Sequence, residues 1–218
     1  MTDKLGNIFS EIYKDHGIGR GWCVSDVNGG IESASGRGSE LKHTTSIRKW
    51  LPKLINDREI GSIVDAGCGD FNWMKEIDLE IPYMGLDIVP DMVKKNIDLY
   101  GRLFPVTKLF AIADITKDVL PKADLVICRD VIYHLSFTNI RKVITNIVTA
   151  ARKYILITNT RDVTENNDID DGGFRRLSLR LPPLNFPAPL ERFEDCEAAL
   201  EDMYLYSVST LEEYLKHG

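Results

Sequence analysis

The chain has 218 residues, with 27 basic and 33 acidic side chains and a formal net charge of −6. A chain of this length fits one α/β domain, which buries roughly 70% of the surface that its unfolded form exposes. The acidic balance gives no electrostatic footprint for duplex nucleic acid or an anionic membrane, so neither is an expected partner.

Three further features of composition point to a cytoplasmic protein. No apolar run approaches the roughly 18 residues that span a bilayer, and the amino terminus lacks the apolar region of a secretory signal. The four cysteines are far apart in the sequence, which favours reduced thiols over a disulfide framework. They are Cys23, Cys68, Cys128 and Cys196.

Residues 1–46 predict an amino-terminal helix followed by a flexible covering segment, ahead of a main domain over residues 47–218. Apolar residues in the first part recur at helical spacing and share one face. These are Leu5, Ile8, Phe9, Ile12 and Tyr13. Residues 28–46 are rich in Gly, Ser and Thr and predict a loop, and helical spacing returns from residue 47.

From residue 62 onward, short apolar strands alternate with helical segments. Strands are predicted at "SIVDAG", "YMGLDI", "KLFAIADI", "ADLVICRDV" and "YILITNT", and helices at "FNWMKEI", "PDMVKKNIDLY" and "SFTNIRKVITNIVTAAR". Strands that are apolar throughout indicate a mostly parallel, doubly wound α/β sheet with helices on both faces. The alternation breaks at an insertion over residues 161–195, in which "RLSLRL" predicts a strand. Near the carboxyl end, "MYLYSV" predicts a strand of an antiparallel pair.

The stretch "IVDAGCGDFNWM" places two glycines directly after a buried strand. Asp65 ends this strand, and a turn through Gly67 and Gly69 exposes backbone N–H groups to whatever lies above it. An ordinary tight turn also explains two glycines. However, Asp87 follows about twenty residues later at another strand end, where doubly wound folds hold a ribose. The two features together favour a nucleoside site.

Polar residues also follow the fourth strand, at the edge of the sheet where ligands bind. Arg129 and Asp130 are predicted to face the reacting group, with an ion pair that steadies the loop as the alternative. His134 is the candidate general base, since a neutral imidazole accepts a proton near pH 7. Its alternative role is to cap the helix that begins near Ser136.

The spacing of the glycine turn distinguishes between nucleoside cofactors. A dinucleotide fold uses G-x-G-x-x-G to seat a pyrophosphate, whereas here Asn72 replaces the third glycine and Asp70 adds a carboxylate. Together with the acids that end the first three strands, this pattern favours a cationic cofactor that carries an adenosine.

At this point the sequence resembles the Rossmann-like (class I) S-adenosylmethionine-dependent methyltransferases, in an uncharacterised bacterial branch. "VDAGCGD" is similar to their first motif, "GLDIVPDMV" to the second, "AIADI" to the third and "ADLVICRDVIYHL" to the fourth. The four motifs stand in the family's order over roughly residues 60–160. The family's loop usually has a further glycine at the position of Phe71.

The resemblance implies roles for particular residues toward S-adenosyl-L-methionine. Gly67 and Gly69, after Asp65, would line the methionine part, and Asp87 with Ile88 would hold the ribose. The adenine would meet the end of the third strand. From its own Ser- and Gly-rich sequence, the loop at 28–46 is expected to close over the methionine end and reach its carboxylate. Arg129 would lie in the wall, and Trp73 either lies there or belongs to the core. The residues concerned there are Asp114 and Ile115 for the adenine, and Thr44 or Arg37 for the carboxylate.

The sequence therefore predicts a methyltransferase that acts on a small polar acceptor, a sugar or another metabolite, with oxygen favoured over nitrogen. The alternatives are a nicotinamide-dependent oxidoreductase and a non-catalytic nucleoside-binding partner subunit. Acceptor recognition is expected in the loop at 28–46 and the insertion at 161–195. No metal is expected, and the chain is expected to be a monomer or a homodimer.

Overall fold

The computed structural model describes residues 4–14, 32–101, 108–196 and 199–217. Cys23 and the start of the predicted loop, residues 28–31, lie outside these ranges. The helices are α1 (Lys4–Lys14), α2 (Thr45–Asp57), α3 (Pro90–Tyr100), α4 (Phe137–Ala150) and α5 (Val208–His217). The strands are β1 (Ile63–Ala66), β2 (Tyr83–Asp87), β3 (Lys108–Ile112), β4 (Ala123–Cys128), β5 (Ala151–Thr160), β6 (Glu191–Cys196) and β7 (Glu201–Ser207).

The seven strands form one sheet in the order β3-β2-β1-β4-β5-β7-β6. The first five strands pair in parallel, while β7 runs antiparallel between β5 and β6. The predicted doubly wound sheet with an antiparallel carboxyl-terminal strand is confirmed. The chain reverses its direction of winding between β1 and β4, and the crevice that this leaves is the usual binding site of such a sheet.

Both faces of the sheet are covered, because successive side chains of each central strand point to opposite sides. Val64 and Val126 belong to one apolar cluster, which includes residues of α1, α4 and α5. Ile63 and Leu125, their neighbours in sequence, belong to a second cluster, which includes residues of α2. The amphipathic helix predicted near the amino terminus is confirmed as α1, which buries Phe9.

The predicted helix at "FNWMKEI" is wrong, because only a short 3-10 turn forms there, at Met74–Glu76. Phe71 has a φ of 60°, in the left-handed region that interrupts a right-handed helix. The backbone at Phe71 therefore has a conformation that favours glycine, the residue usual at this position in the family that the sequence resembles. Its buried ring contacts three aromatic rings with centroids 5.1–5.2 Å away, those of Tyr83, Tyr100 and Phe110, which hold it in place.

The predicted strand at "RLSLRL" is also wrong. Backbone amides within residues 176–181 donate to side chains, so the segment does not form the regular backbone pairing of a strand. The amide of Leu179 donates to Asn159 Oδ1 at 2.8 Å, and that of Ser178 donates to Asn166 Oδ1 at 2.9 Å. Burial of Leu177 and Leu179 explains the apolar alternation that suggested a strand. The strand that does form in this region, β6, has a charged sequence at the edge of the sheet and was not predicted.

Two observations bear on the predicted compartment. In the described part of the chain, Cys68, Cys128 and Cys196 are buried free thiols. Among the helices that the structure describes, none has both the length and the apolar character needed to cross a membrane.

We expect the conformation of Phe71 to reverse the usual ranking of alanine and glycine. Phe71→Ala and Phe71→Gly both lose the ring contacts, which costs about 3–5 kcal/mol. Phe71→Gly should nevertheless be more stable than Phe71→Ala by about 1 kcal/mol, because only alanine meets the steric cost of a positive φ. The free energy of unfolding in denaturant measures both differences.

Phe110 in β3 provides the matched control, since it is a buried aromatic residue in a strand. At this position glycine should be the less stable replacement, by about 0.5–1 kcal/mol. If Phe71→Ala equals or exceeds Phe71→Gly in stability, the left-handed conformation of Phe71 is incorrect.

Candidate active site

A cleft of about 890 Å³, its open mouth included, lies at the carboxyl ends of the parallel strands. It extends across the point where the winding reverses between β1 and β4. Its walls are formed by the turns after β1, β2, β3 and β4, by α1 and by the segment before α2. Most residues singled out in the sequence line it: Asp65, Gly67, Gly69, Trp73, Asp87, Ile88, Asp114, Ile115, Arg129, Asp130 and His134.

The glycine turn after β1 brings backbone close to the floor of the cleft. Gly67 and Gly69 have φ angles of 96° and 54°. A Cβ on Gly67 would lie 2.2 Å from the side chain of Val131, and one on Gly69 would lie 2.1 Å from Ser35 Oγ. Both positions therefore require glycine, for backbone conformation and for space.

Asp87 ties the end of β2 to this turn. Its Oδ2 accepts from the amide of Gly69 at 3.0 Å, and its Oδ1 accepts from the amide of Val89 at 2.9 Å. Burial raises the pKa of Asp87, and the two amides act in the opposite direction. Each carboxylate oxygen has more than one lone pair, so both can accept a further bond from a ligand in the cleft.

Asp65 lies beneath the turn, almost fully buried. The hydroxyl of Tyr83 donates to Asp65 Oδ2 at 2.7 Å. Burial raises the pKa of Asp65 to about 6, although this hydrogen bond and the charge of Arg129 oppose the shift. Asp65 therefore contributes a carboxylate at the floor of the cleft that is still mostly ionised near pH 7.

The turn after β3 supplies a more rigid wall. Asp114 Oδ1 accepts from the amide and the hydroxyl of Thr116, at 2.9 and 2.6 Å, and Oδ2 pairs with Lys117 at 3.1 Å. The carboxylate thus fixes its own turn and places the buried side chain of Ile115 at the cleft.

Arg129, directly after β4, connects several parts of the site from a buried position. Its Nε and Nη1 donate to Asp195 Oδ2 and Asp130 Oδ2, at 2.8 and 2.9 Å. Its Nη2 donates to the carbonyl of Gly38 at 2.8 Å, and its guanidinium carbon lies 5.5 Å from the centre of a Trp73 ring. Burial disfavours the charged form, but the carboxylates of Asp130 and Asp195 outweigh it and raise the pKa of Arg129.

Asp130 has a left-handed backbone, with a φ of 58°. Its amide donates to Thr158 Oγ1 at 2.7 Å, a bond that links the end of β4 to β5. A conformation that is costly for a residue other than glycine is often found where a side chain must be aimed at a ligand. The predicted ion pair of Arg129 and Asp130 is present, and both residues also line the cleft.

His134 lies at the rim of the cleft, in a 3-10 turn after β4. Its Nδ1 lies 2.7 Å from the carbonyl of Gly173 in the insertion, which fixes the proton on Nδ1 and the basic lone pair of the neutral ring on Nε2. Burial lowers the pKa of His134 to about 4. His134 does not cap α4, because the side chain of Ser136 accepts from the amide of Asn139 and takes that role.

The segment over residues 32–40 covers the glycine turn. Asp70 accepts from Ser33 Oγ at 3.1 Å and from the amide of Ala34 at 2.7 Å. The amide of Asp70 donates to Ser35 Oγ at 2.9 Å, and Asn72 Nδ2 donates to the carbonyl of Ser39 at 3.0 Å. Asp70 and Asn72, which set this turn apart from a dinucleotide loop, therefore fasten the segment to the turn.

The structure does not bring Thr44 or Arg37 into the cleft. Thr44 is fully buried, and its hydroxyl donates to the carbonyls of Glu40 and Leu41, at 3.1 and 3.4 Å. Arg37 is exposed at the start of a 3-10 turn. The arrangement gives no support to their predicted contact with a cofactor carboxylate.

Several lining residues were not predicted as site residues. They are Leu5, Phe9, Tyr13, Ser35, Ser39, Cys68, Val89, Ala113, Thr116, Val131 and Leu135. The amphipathic face of α1 gave a signal for the first three, since it was interpreted as a covering or packing helix. The serines belong to a loop whose sequence has no periodicity to distinguish one hydroxyl from another.

The strand order, the antiparallel seventh strand and a cleft at the end of β1 define the fold of the class I S-adenosylmethionine-dependent methyltransferases. Magnesium protoporphyrin IX methyltransferase (ChlM) from Synechocystis PCC 6803 with bound SAH aligns over 92% of this chain and 98% of its own, with a TM-score of 0.65 and 14% identity. The mitomycin 7-O-methyltransferase MmcR aligns over 80% of this chain and 55% of its own, with a TM-score of 0.61 and 15% identity.

The N-methyltransferase NodS from Bradyrhizobium japonicum WM9 aligns over 78% of this chain and 98% of its own, with a TM-score of 0.54 and 15% identity. No protein-family model and no curated protein matches the sequence. At these identities the similarity establishes the fold.

The contact of Asp70 with the covering segment leads to a prediction about local stability. Asp70→Ala should speed amide hydrogen exchange over residues 33–39 by about tenfold, because charged hydrogen bonds of this kind contribute about 1.5–3 kcal/mol. Asp78→Ala, which removes an exposed carboxylate beyond the turn, should leave the exchange of that segment unchanged. Equal exchange rates in both variants would show that Asp70 does not fasten the segment.

Proposed function

We propose that this chain is an S-adenosyl-L-methionine-dependent methyltransferase that methylates an oxygen of a small polar acceptor. The observation that carries the proposal is the charge of the cleft. Among its described lining residues, four are aspartates and Arg129 is the only lysine or arginine. Such a lining suits a cationic sulfonium with an uncharged ribose and adenine, and it disfavours the pyrophosphate of a nicotinamide dinucleotide.

The cleft fits the parts of this cofactor in the order of the strands. The backbone of the turn through Gly67 and Gly69 would contact the methionine part, and Asp87 would accept from both ribose hydroxyls. Ile88 and Ile115 offer apolar surfaces for the adenine. We propose that the segment over residues 32–40 closes over the methionine end, where Ser35 and Ser39 take the place expected for Thr44 or Arg37.

When bound, the cofactor supplies a methyl group that its sulfonium has already activated for transfer. The protein must therefore hold the acceptor oxygen in line with that methyl and exclude water. As the new O–CH₃ bond forms, the C–S bond breaks, the sulfur keeps the electron pair as a neutral thioether, and the hydroxyl proton passes to a base. We propose that Arg129 and Asp130, directly after β4, orient the acceptor.

His134 is proposed as the proton acceptor, through Nε2. A pKa of about 4 leaves the ring neutral at physiological pH but also makes it a weak base. Its contribution should therefore lie near the lower end of the range for general bases, with alignment of the acceptor as the larger effect. Acceptor selection is proposed for the insertion, whose Gly173 carbonyl fixes the ring.

The proposal predicts that Asp87 dominates cofactor affinity. Asp87→Asn keeps the shape of the side chain but removes its charge, so binding of S-adenosylhomocysteine should weaken by about 1.5–3 kcal/mol, or roughly 10- to 150-fold. Isothermal titration calorimetry measures the change. Asp91→Asn, at an exposed position in the first turn of α3, is the matched control and should bind like the wild type.

Calorimetry also separates the candidate functions. Heat with S-adenosylhomocysteine and none with NAD supports the methyltransferase, whereas the reverse would establish the oxidoreductase. Release of S-adenosylhomocysteine in a screen of sugars, phenols and small hydroxy acids would then exclude a non-catalytic binding subunit.

The role of His134 predicts a separate loss of turnover. His134→Asn keeps an N–H close to the position of Nδ1 but removes the basic Nε2, so kcat should fall by about 10²-fold with little change in cofactor affinity. In the wild type, the neutral base is lost only as the pH falls through about 4. His134 should therefore impose no rate change between pH 6 and 9.

His217→Asn, at the exposed end of α5, is the control for this substitution. A normal kcat in His134→Asn would remove the proton-acceptor role. A rate that rises with pH through 6.5 and loses this rise in His134→Asn would contradict the lowered pKa.

A further inference from the structure

Three carboxylates from separate elements meet beside the cleft. Asp130 follows β4, Asp195 lies in β6 and Glu201 begins β7, and one oxygen of each lies within 4.8 Å of the other two. The last two residues belong to the antiparallel part of the sheet and line no part of the cleft that the structure describes. We call these three residues the carboxylate cluster.

Arg129 pairs with only one carboxylate oxygen of each of the two aspartates. Its guanidinium donates to Oδ2 of Asp130 and to Oδ2 of Asp195. Within the described residues, Oδ1 of each is inaccessible to solvent and has no hydrogen-bond partner. The side chain of Asp195 is completely buried, so an oxygen without a partner there is costly, and such groups in native proteins commonly bind an ion or a water molecule.

The cluster also has more negative than positive charge. Among the described residues, Arg129 donates to two of the three carboxylates, whereas Arg176, whose charge also acts on Glu201, pairs with Asp162 at 2.8 Å. A bound cation would supply the positive charge that these carboxylates lack.

We propose that the carboxylate cluster is a binding site for a hard divalent cation. Oxygen ligands from carboxylates suit Mg²⁺, Mn²⁺ and Ca²⁺. Two ligands of one ion can be at most two bond lengths apart, which is about 4.2 Å for Mg²⁺ and about 4.6–5.2 Å for Ca²⁺. Three ligands of one ion must lie closer together than this limit, so oxygens up to 4.8 Å apart need a contraction of the cluster, which is larger for Mg²⁺ than for Ca²⁺.

The cation would have a route to the cluster and a use there. Asp130 lines the cleft with about a quarter of its side chain exposed, and Glu201 is half-buried. An ion held beside Asp130 would coordinate an oxygen of the acceptor next to the transferred methyl and fix its direction of attack. This use rests on the proposed function, whereas binding of the cation does not.

Titration with Mn²⁺, followed by the loss of the free-ion signal in electron paramagnetic resonance, tests the site without any methyl transfer. We expect the full chain to bind about one equivalent of Mn²⁺, and Mg²⁺ or Ca²⁺ to displace it. Glu201→Gln removes one charged ligand but leaves the hydrogen bonds of Arg129 intact, because Glu201 accepts none of them. The Mn²⁺ affinity of this variant should therefore fall by at least about tenfold.

Glu191→Gln is the matched control. It removes a carboxylate from β6, the strand of Asp195, but from an exposed pair with Arg58, so Mn²⁺ binding should not change. Melting temperatures in EDTA establish that each variant folds. Calorimetry with S-adenosylhomocysteine on the same samples tests the proposed function separately, since either binding reaction can fail without the other.

Three results would overturn the proposal. The first is the absence of saturable Mn²⁺ binding by the wild type, and the second is equal Mn²⁺ affinity in Glu201→Gln. The third is a rise in melting temperature with an organic ammonium ion such as ethanolamine, in a protein that binds no divalent metal, if Glu201→Gln abolishes this rise. That result would assign the cluster to an amine of the acceptor instead.

Discussion

The buried guanidinium of Arg129 is the interaction on which the arrangement of the site depends. It connects the end of β4 to β6 through Asp195 and to the covering segment through Gly38, and it packs beside Trp73. Removing one partner of a buried ion pair leaves an uncompensated charge, which is strongly destabilising. Arg129 therefore connects the antiparallel edge of the sheet, the cleft wall and the covering segment, which Asp70 and Asn72 also fasten to the glycine turn.

The distribution of acids around this cation divides the cleft into two regions. On the side of β1 and β2, Asp65 and Asp87 lie under the glycine turn, and each accepts hydrogen bonds from the protein. On the side of β4, Asp130 and Asp195 retain buried oxygens without partners in the described residues. The acids of the first region therefore have protein partners, whereas those of the second are only partly paired, by Arg129.

The sheet was predictable because apolar strands alternate with helical patterns along a local stretch of sequence. The position of the site at the ends of β1, β2, β3 and β4 was predictable as well, since the carboxyl ends of parallel strands lie at one edge of the sheet. This reasoning placed Asp87, Asp114 and His134 at one cleft. Local patterns favoured a helix after Gly69 because nothing in them reveals that aromatic contacts hold Phe71 in a left-handed conformation.

Residues brought in from distant parts of the chain were beyond such reasoning. Asp195 reaches Arg129 across 66 positions in sequence, and it lies in a charged edge strand that has no apolar pattern. Glu201 joins the carboxylate cluster only because β7 inserts between β5 and β6. The apolar pattern of "RLSLRL" led to the opposite error, a strand that does not form. Side-chain amides take the place of the neighbouring strand that its backbone would need.

The covering segment contacts both regions of the cleft, and this has a consequence for the kinetics. Ser33 and Ala34 bind Asp70 on the side of the glycine turn, whereas Gly38 binds Arg129 and leaves no room for a larger side chain beside Asp130. Displacing the segment at one end therefore loosens the residues at the other. A molecule that settles in the first region and holds the segment down would also steady Arg129 in the second. Under the proposed function, such a coupling would favour a compulsory order of binding for the two substrates.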